Sequence, residues 1–373
     1  MNRILSHCVP LVLSHCVPLV LMALLCFPAH GFCAGGKEKV LLDTDMVEMF
    51  DDGVALAMLA KDPKIELVGV TTVTGNSWVE EGTAWAARQI EHLGEKIPVA
   101  AGASLPMRPG RHALFPKERE LFGRGQDTWV GSFGHPEPAS WQAFYKEHYG
   151  ADPKFTLDRR HGSDFIIDAV RANPHEITIA AIGPCTNLAL AIIKAPDIVP
   201  LVKRVVYMGG SFFKPGNVTP AAEFNWWADP EAAQIALRAP FAEQIIFGLD
   251  VCEKVIFTKD NYDRLLKVMG SGPQSDMLKK TFLGQSFAKD PHFSFFVWDV
   301  LVAAAIIDPS IITSEKLLPV DMNTQFGVSY GQSLAFEGQA PLGTQKARII
   351  LDVDKKRFWD MVCDGKYWTG KKN

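Results

Sequence analysis

The chain has 373 residues, of which 47% are hydrophobic, and this composition allows one large globular domain with a buried core. Its formal net charge of -4 and its scattered Lys and Arg residues provide no basic surface, so we exclude nucleic acid as a partner. Four of its seven cysteines precede residue 35, and the remaining Cys185, Cys252 and Cys363 are too few and too widely spaced for a disulfide framework.

Residues 1–34 have the composition of an export leader. Arg3 is the only charged residue before Lys37, and a long apolar run ends in small residues, which is typical of a secretory signal peptide. The pattern predicts a mature domain at residues 35–373, a periplasmic or secreted location, and no stable membrane association once the leader is cleaved. A retained membrane anchor is the alternative, which proline and histidine residues inside the run disfavour.

Short apolar runs alternate with helical patterns along the mature chain. The predicted strands are "KVLLD" (39–43), "IELVGVTTV" (65–73), "ITIAAIG" (177–183), "RVVYMGG" (204–210), "QIIFGLD" (244–250) and "ARIILDV" (347–353). The predicted helices include "DDGVALAMLAKDP" (51–63), "EEGTAWAARQIEHLG" (80–94), "TNLALAIIKAP" (186–196) and "DPEAAQIALRAP" (229–240). Because strands that are apolar throughout are buried on both faces, we predict an α/β fold with an open, mainly parallel, Rossmann-like sheet flanked by helices.

Polar residues follow several of these strands. Asp43 and Asp45 end the first strand, Asn76 follows the second, and the "GPCTN" turn and Asp250 follow later ones. Since ligands of open parallel sheets bind at the carboxyl ends of the strands, these residues predict one site.

Residues 104–163 interrupt the alternation. The segment is dense in Pro, Gly, Arg and aromatic residues and has no clean periodicity. Long loops in compact domains are often functional. We interpret this segment as a lid or rim over the site, with an ordered surface insertion or an oligomer contact as the alternative.

The first strand leads into a concentration of carboxylates. They are Asp43, Asp45, Glu48, Asp51 and Asp52. Two carboxylates about 4 Å apart repel by roughly 4 kcal/mol at an effective dielectric constant near 20, so such a group needs a cation, a shared proton or solvent. Asp51 and Asp52 at a helix start explain part of it through the helix dipole. A Ca²⁺ site with oxygen ligands is the second interpretation.

A phosphatase of the haloacid dehalogenase type is the third interpretation, because "VLLDTDMV" fits its apolar strand followed by DxDx[TV]. Asp43 would then be the nucleophile and Asp45 the general acid. That class also needs a later Lys and an acidic metal pair, and the sequence has no convincing equivalents.

Six segments together resemble the inosine-uridine type nucleoside hydrolases. They are "DTDMVEMFDD", "GVTTVTGN", "AAIGPCTNLALA", "VVYMGGSFFKPGNVTPAAEFNWWADPEAA", "FVWDVLVAAAIIDPS" and "ARIILDVDKKRFWD". They occur in order from about residue 38 to 360, and the long block ending in "DPEAA" is highly specific. The resemblance implies a hydrolase that cleaves the N-glycosidic bond of ribonucleosides, and a homo-oligomer, either dimer or tetramer.

The resemblance also implies a Ca²⁺ held by Asp45, by both oxygens of Asp52, by Asp299 and by the main-chain carbonyl of Ile182. In the implied mechanism Asp45 takes a proton from a calcium-bound water, which attacks the anomeric carbon. The residues that would contact the sugar are Asp51, Asn76, Met208, Asn217, Glu223 and Asn225. In isolation, each has an ordinary structural interpretation as a turn or cap residue.

The sequence departs from the family pattern at two places, the loop after Asp45 and the residue before Asp299. Five residues, "MVEMF", separate Asp45 from the Asp pair where many members have three, and the resemblance does not explain Glu48. A catalytically silent nucleoside- or sugar-binding homologue is therefore an alternative.

Trp298 precedes Asp299 where pyrimidine-accepting members have a His. A tryptophan cannot protonate a leaving base but its face can stack on one, so we predict purine preference, with Phe115 or Trp129 as a second stacking face. A core tryptophan in the aromatic run "FSFFVWD" is the alternative.

Overall fold

The computed structural model describes residues 36–122 and 129–368, apart from the side chains of Pro116 and Arg119. The predicted leader, residues 1–34, lies outside the described residues. The described residues from Lys37 onward form one compact unit. Within the described part of the chain, no helix combines the length and the apolar character needed to cross a membrane.

Nine of the eleven strands in the described residues form one sheet. The strands are β1 Glu38–Thr44, β2 Ile65–Thr72, β3 Val99–Ala101, β4 Ile177–Ala181, β5 Arg204–Met208, β6 Gln244–Phe247, β7 Ile256–Thr258, β8 Ser294–Phe296, β9 Ile312–Met322, β10 Ser333–Ala335 and β11 Gln345–Val353. The order in the sheet is β10-β9-β11-β6-β5-β4-β1-β2-β3, and β7 pairs with β8 separately. The pairs from β11 to β3 are parallel, whereas β9 is antiparallel to both its neighbours, which confirms a mainly parallel sheet.

The helices of the described residues cover both faces of this sheet. They are α1 Asp51–Lys61, α2 Val79–Leu93, α3 Arg111–Phe122, α4 Trp141–Tyr149, α5 Gly162–Ala172, α6 Thr186–Lys194, α7 Phe224–Ala228, α8 Pro230–Arg238, α9 Leu249–Cys252, α10 Lys259–Met269, α11 Pro273–Lys280, α12 Phe282–Lys289, α13 Asp299–Ile307 and α14 Lys355–Val362. The four predicted helices correspond to α1, α2, α6 and α8.

The strand β1 shows how the layers are built. Because successive side chains point to opposite faces, Val40 and Leu42 join a core that includes α1 and α13, while Leu41 joins a core that includes α5, α6 and α8. All three side chains are fully buried. The unbroken apolar character of β1 is the consequence of burial on both sides.

The strand order reverses at β1. The chain moves from β1 to β2 and β3 in one direction, and from β1 to β4, β5 and β6 in the other. A crevice forms where strand order reverses, at the carboxyl ends of the strands. The ends of β1 and β4 therefore define the place where a ligand is expected.

The described residues of 104–163 include the helices α3 and α4, although their sequence shows no clean periodicity. Ser140 caps α4 by accepting from the backbone N–H of Ala143, and Gly150 ends it with φ 69°. The helix packs against α2, where the Tyr145 hydroxyl donates to Glu91 at 2.6 Å. The described part of the segment therefore packs on the domain through α4, and its interpretation as a lid or rim stays a prediction.

Candidate active site

Asp45 lies directly after β1 and is fully buried. Its Oδ2 accepts from the backbone N–H of Asn76 at 2.6 Å, whereas its Oδ1 accepts no hydrogen bond from any described residue. Two glycines leave room for the side chain, because a Cβ at Gly75 would lie 2.3 Å from Oδ2 and one at Gly183 would lie 2.7 Å from the Asp45 nitrogen.

Asp52 and Asp51 begin α1 but serve different partners. Asp52 Oδ1 accepts from the Thr44 hydroxyl, and its Oδ2 accepts from the Val47 N–H at 3.2 Å. Asp51 accepts from the backbone N–H groups at the start of α13. The donors are those of Trp298 at 2.7 Å, Asp299 at 3.0 Å and Val300 at 3.2 Å. Asp51 thus holds α13 against the end of β1.

This arrangement brings Asp299 to the cluster of carboxylates that Asp45, Asp51 and Asp52 form. Asp299 is 4% exposed, and its Oδ1 also accepts no hydrogen bond from the described residues. None of Asp45, Asp51, Asp52 and Asp299 forms an ion pair with a described Lys, Arg or His. Each buried acceptor without a partner costs about 1–3 kcal/mol, which a bound cation would offset.

The pKa values of these four carboxyl groups reflect their burial close to one another. Burial, and then the charge of Asp52, raise the pKa of Asp45 well above its ordinary range and that of Asp51 to about 7. Burial raises the pKa of Asp52 to about 6. Burial and the neighbouring carboxylates also raise the pKa of Asp299. The four groups therefore disfavour full ionisation without a cation.

Main-chain and amide oxygens complete the set of oxygen donors. Ile182 lies just after β4, and its carbonyl accepts from Asn225 Nδ2 at 3.0 Å. The same Nδ2 lies 3.2 Å from both the carbonyl oxygen and the Sδ of Met208. Asn225 Oδ1 is buried and receives no hydrogen bond from the described residues. Among those residues, no group of three or more His, Cys, Asp or Glu side chains is arranged so that these side chains alone could hold a metal ion.

Glu223 is the N-cap of α7. Its Oε1 accepts from the Asn225 N–H at 2.8 Å, and its Oε2 accepts from the N–H groups of Gly210 at 2.8 Å and Trp226 at 3.2 Å. Burial raises the pKa of Glu223 to about 7. Glu223, which the sequence predicts to contact the sugar, therefore also has a structural role, because it fixes Asn225.

The remaining predicted sugar residues lie at the rim of this group. Asn217 is exposed, and its Oδ1 accepts from the Phe224 N–H at 3.0 Å. Asn76 is partly buried, and its Oδ1 accepts from Trp129 Nε1 at 2.8 Å. Trp129 belongs to the insertion and is 62% exposed, so the insertion contacts Asn76.

Trp298 is partly buried in a cluster of aromatic rings. Its ring packs against Phe295, Phe296 and Phe50 at centroid distances of 5.4, 6.1 and 6.4 Å. Its Nε1 is buried and has no acceptor among the described residues. Phe115 is 1% exposed between Phe133 and Trp227, so its prediction as a second stacking face is wrong, because its ring is part of a buried cluster.

Asp43 supports the site from behind. It is 1% exposed, and its Oδ1 accepts from the Thr71 hydroxyl at 2.7 Å and from Asn187 Nδ2 at 2.8 Å. Burial raises its pKa to about 6. A carboxylate this enclosed is a poor nucleophile, which disfavours the phosphatase interpretation. The supporting Thr71, Asn187 and Thr44 were missed, although all three stand at strand ends or in the "GPCTN" turn.

The geometry thus defines an α/β protein with a cluster of buried carboxylates where the strand order reverses, and sequence comparison gives the family. The sequence model of the inosine-uridine preferring nucleoside hydrolases matches residues 40–360, and the chain belongs to this family.

Named relatives agree with this assignment. The chain is 31% identical over 331 residues to the inosine-uridine preferring nucleoside hydrolase of Leishmania major, covering 87% of this chain and 96% of that protein. It is 29% identical over 336 residues to the pyrimidine-specific ribonucleoside hydrolase RihB of Shigella sonnei, with the same coverage. A solved plant nucleoside hydrolase superposes with a TM-score of 0.70 at 25% identity, covering 89% of this chain and 99% of that one.

Proposed function

We propose that the chain hydrolyses the N-glycosidic bond of ribonucleosides, releasing free base and ribose, with preference for purine nucleosides. One observation carries this proposal. Asp45 and Asp299 each present a buried carboxylate oxygen that lacks a hydrogen-bond donor, in a family of nucleoside hydrolases.

The donor set fits a Ca²⁺ ion. Carboxylate and carbonyl oxygens are the ligands that Ca²⁺ prefers, and Asp45, Asp52, Asp299 and the Ile182 carbonyl would hold it. Each oxygen of Asp52 accepts one hydrogen bond, and a carboxylate oxygen has a second lone pair for a cation. When bound, the ion supplies Lewis acidity that acidifies water and orients the ribose hydroxyls.

Asp45 is the residue that takes the proton from the attacking water in this proposal. The bond from the Asn76 N–H holds Asp45 Oδ2 in place and leaves Oδ1 to act as the base. Asn225 presents its free Oδ1 as an acceptor for a sugar hydroxyl, since its Nδ2 is engaged by Ile182 and Met208. A polar shell of this kind rejects sugars that lack a hydroxyl.

Trp298 supports the purine preference. Its main chain lies beside the carboxylates, because its backbone N–H donates to Asp51. A purine offers a larger stacking surface than a pyrimidine, and aromatic stacking favours the larger ring system. The relatives include both inosine-uridine preferring and pyrimidine-specific proteins, so this preference rests on Trp298.

The proposal also includes the location of the protein and its oligomeric state. We propose export of the mature domain, since residues 1–34 have a leader composition. We also propose a homo-oligomer. N-terminal sequencing of the exported protein tests the first statement, and sedimentation tests the second.

The direct test incubates the purified chain with inosine and with uridine and separates base from nucleoside. We expect inosine to be cleaved faster than uridine, and an Asp45→Asn variant to lose about a hundredfold or more in kcat. Binding of nucleoside without cleavage would instead identify a catalytically silent homologue.

A further inference from the structure

The loop 46–50 joins Asp45 to α1 and makes contacts on both sides. Glu48 reaches the insertion helix α4, while Phe50 reaches the aromatic rings around Trp298. Within the loop, the Val47 N–H also donates to Asp52 at 3.2 Å. The loop therefore touches the insertion, the carboxylates and the proposed base-binding face.

The Glu48 end of the loop is held by two side chains of α4. The Tyr149 hydroxyl donates to Glu48 Oε1 at 2.6 Å, and His148 Nε2 lies 3.6 Å from Oε2. The Glu48 side chain is 17% exposed. Burial raises the pKa of Glu48, but the hydrogen bonds from His148 and Tyr149 outweigh burial and keep its pKa below the ordinary value. This is a charge-assisted contact, which is stronger than a neutral one.

Tyr149, the partner of Glu48 on α4, is itself fixed to α2. The Arg88 guanidinium lies 4.9 Å from the centre of the Tyr149 ring, and the same Arg donates to the Tyr145 hydroxyl at 3.1 Å. Tyr145 donates in turn to Glu91. Glu48 is therefore bound to a rigid partner rather than to a mobile surface side chain.

The Phe50 end of the loop packs against the aromatic rings. Its ring centre lies 5.5 Å from that of Phe282, 6.1 Å from that of Phe295 and 6.4 Å from that of Trp298, each at a steep angle. Edge-to-face contacts of this kind set the orientation of the rings they join. A displacement of the loop would therefore change how Trp298 is presented.

We propose that residues 46–50 form a strap in which Glu48 and Tyr149 are positioning residues for Trp298, so that the insertion sets the base-binding face. This inference rests on the proposed function. It gives a role to Glu48, which the family pattern does not explain. The strap acts on binding of the base more than on the water attack, because residues outside the loop also hold the carboxylates: Asn76 donates to Asp45 and Thr44 donates to Asp52.

A double-mutant cycle on the full chain tests the proposal with inosine as substrate. Glu48→Ala and Tyr149→Phe should each raise KM about tenfold and change kcat about threefold or less. The KM of the double variant should be no higher than that of either single variant, because both substitutions remove the same Glu48–Tyr149 contact. Glu48→Gln, which keeps an oxygen for the Tyr149 hydroxyl, should retain most of the affinity.

Glu147→Ala is the matched control, since Glu147 is an exposed acid on the same helix. It should leave KM unchanged. Hydrogen–deuterium exchange provides a readout that does not need activity: Glu48→Ala should speed exchange in both 46–50 and 141–149. Additive kinetic effects, or unchanged exchange in 141–149, would overturn the strap. If the unaltered chain cleaves no nucleoside, the proposed function fails and the exchange result alone decides about the strap.

Discussion

For Asp51, the sequence pattern predicts the position in the fold but not the hydrogen-bond partners. The family motif places it beside Asp52 at a helix start, and the structure confirms that position. Its hydrogen bonds, however, go to Trp298, Asp299 and Val300, about 250 positions along the chain. Such a partner is invisible to local spacing, because it depends on how α1 and α13 meet. The predicted contact of Asp51 with a ribose hydroxyl stays a prediction.

Trp298 carries the specificity claim at the residue scale. Replacing it in a Trp298→Ala variant should lower kcat/KM for inosine about tenfold or more, because the stacking face is lost. Ribose inhibition should change little, since the carboxylates and Asn225 remain. Steady-state kinetics with inosine and uridine measure this.

Trp298→Phe is the conservative companion of that variant, and it should keep part of the preference because it keeps an aromatic face. Equal losses for inosine and uridine in Trp298→Ala would count against a role in base selection. They would identify Trp298 as a residue that only supports α13.

At the scale of elements, the long apolar strands were predictable, whereas the short or exposed strands were not. The six apolar runs all became strands of the large sheet. The missed strand β9, "ITSEKLLPVDM", is exposed over much of its length and contains Pro319. Its sequence lacks the apolar signal because β9 lies between β10 and β11 near the edge of the sheet, where much of the strand is exposed to solvent rather than covered by two helical layers.

The helix α4 was hidden for a different reason. Its residues Trp141, Phe144, Tyr145 and His148 have the spacing of one helical face, and Ser140 and Gly150 mark its ends. The surrounding Pro, Gly and aromatic residues obscured this pattern. The insertion could thus be recognised as a unit, but its packing on α2 depends on contacts over more than 50 positions.

A buried ion pair within α3 also forms hydrogen bonds with Trp227 of α7. Arg111 and Glu118 are both fully buried, and Arg111 Nη2 also donates to the Trp227 carbonyl at 2.9 Å. Replacing Arg111 by Met leaves the Glu118 charge buried, so the free energy of unfolding should fall by about 3 kcal/mol. Denaturant titration measures this loss.

Arg171→Met is the control for that variant. Arg171 pairs with Asp197 at the surface, at 2.8 Å, and both side chains are about half exposed. Exposed pairs contribute little to stability, so its denaturation midpoint should stay in place. An Arg111→Met variant as stable as the parent would show that the buried pair does not hold the insertion.

For the whole molecule, the buried carboxyls predict how pH changes stability in the absence of calcium. Burial raises the folded-state pKa of Asp43, Asp52 and Asp229 to about 6 and that of Asp51 and Glu223 to about 7. The ordinary values, which apply to the unfolded chain, are about 4. Between these values the folded state binds more protons, so stability falls as pH rises from about 4 to 7.

The chelated protein should therefore melt at a higher temperature at about pH 5.5 than at about pH 8. Calcium should raise the melting temperature more at about pH 8, because its ligands must be ionised. Scanning calorimetry with and without chelator measures both effects. A chelated protein that becomes more stable as pH rises through this range would contradict the assignment.

Calcium-dependent cleavage of inosine is the measurement that tests the central claim most directly. The purified chain is treated with chelator, dialysed and assayed for hypoxanthine and ribose before and after Ca²⁺ is restored. We predict that cleavage stops on chelation and returns with Ca²⁺, and that an Asp299→Asn variant does not recover it at the same Ca²⁺ concentration. Undiminished cleavage after complete removal of the metal, or no cleavage at any Ca²⁺ concentration, would contradict the account.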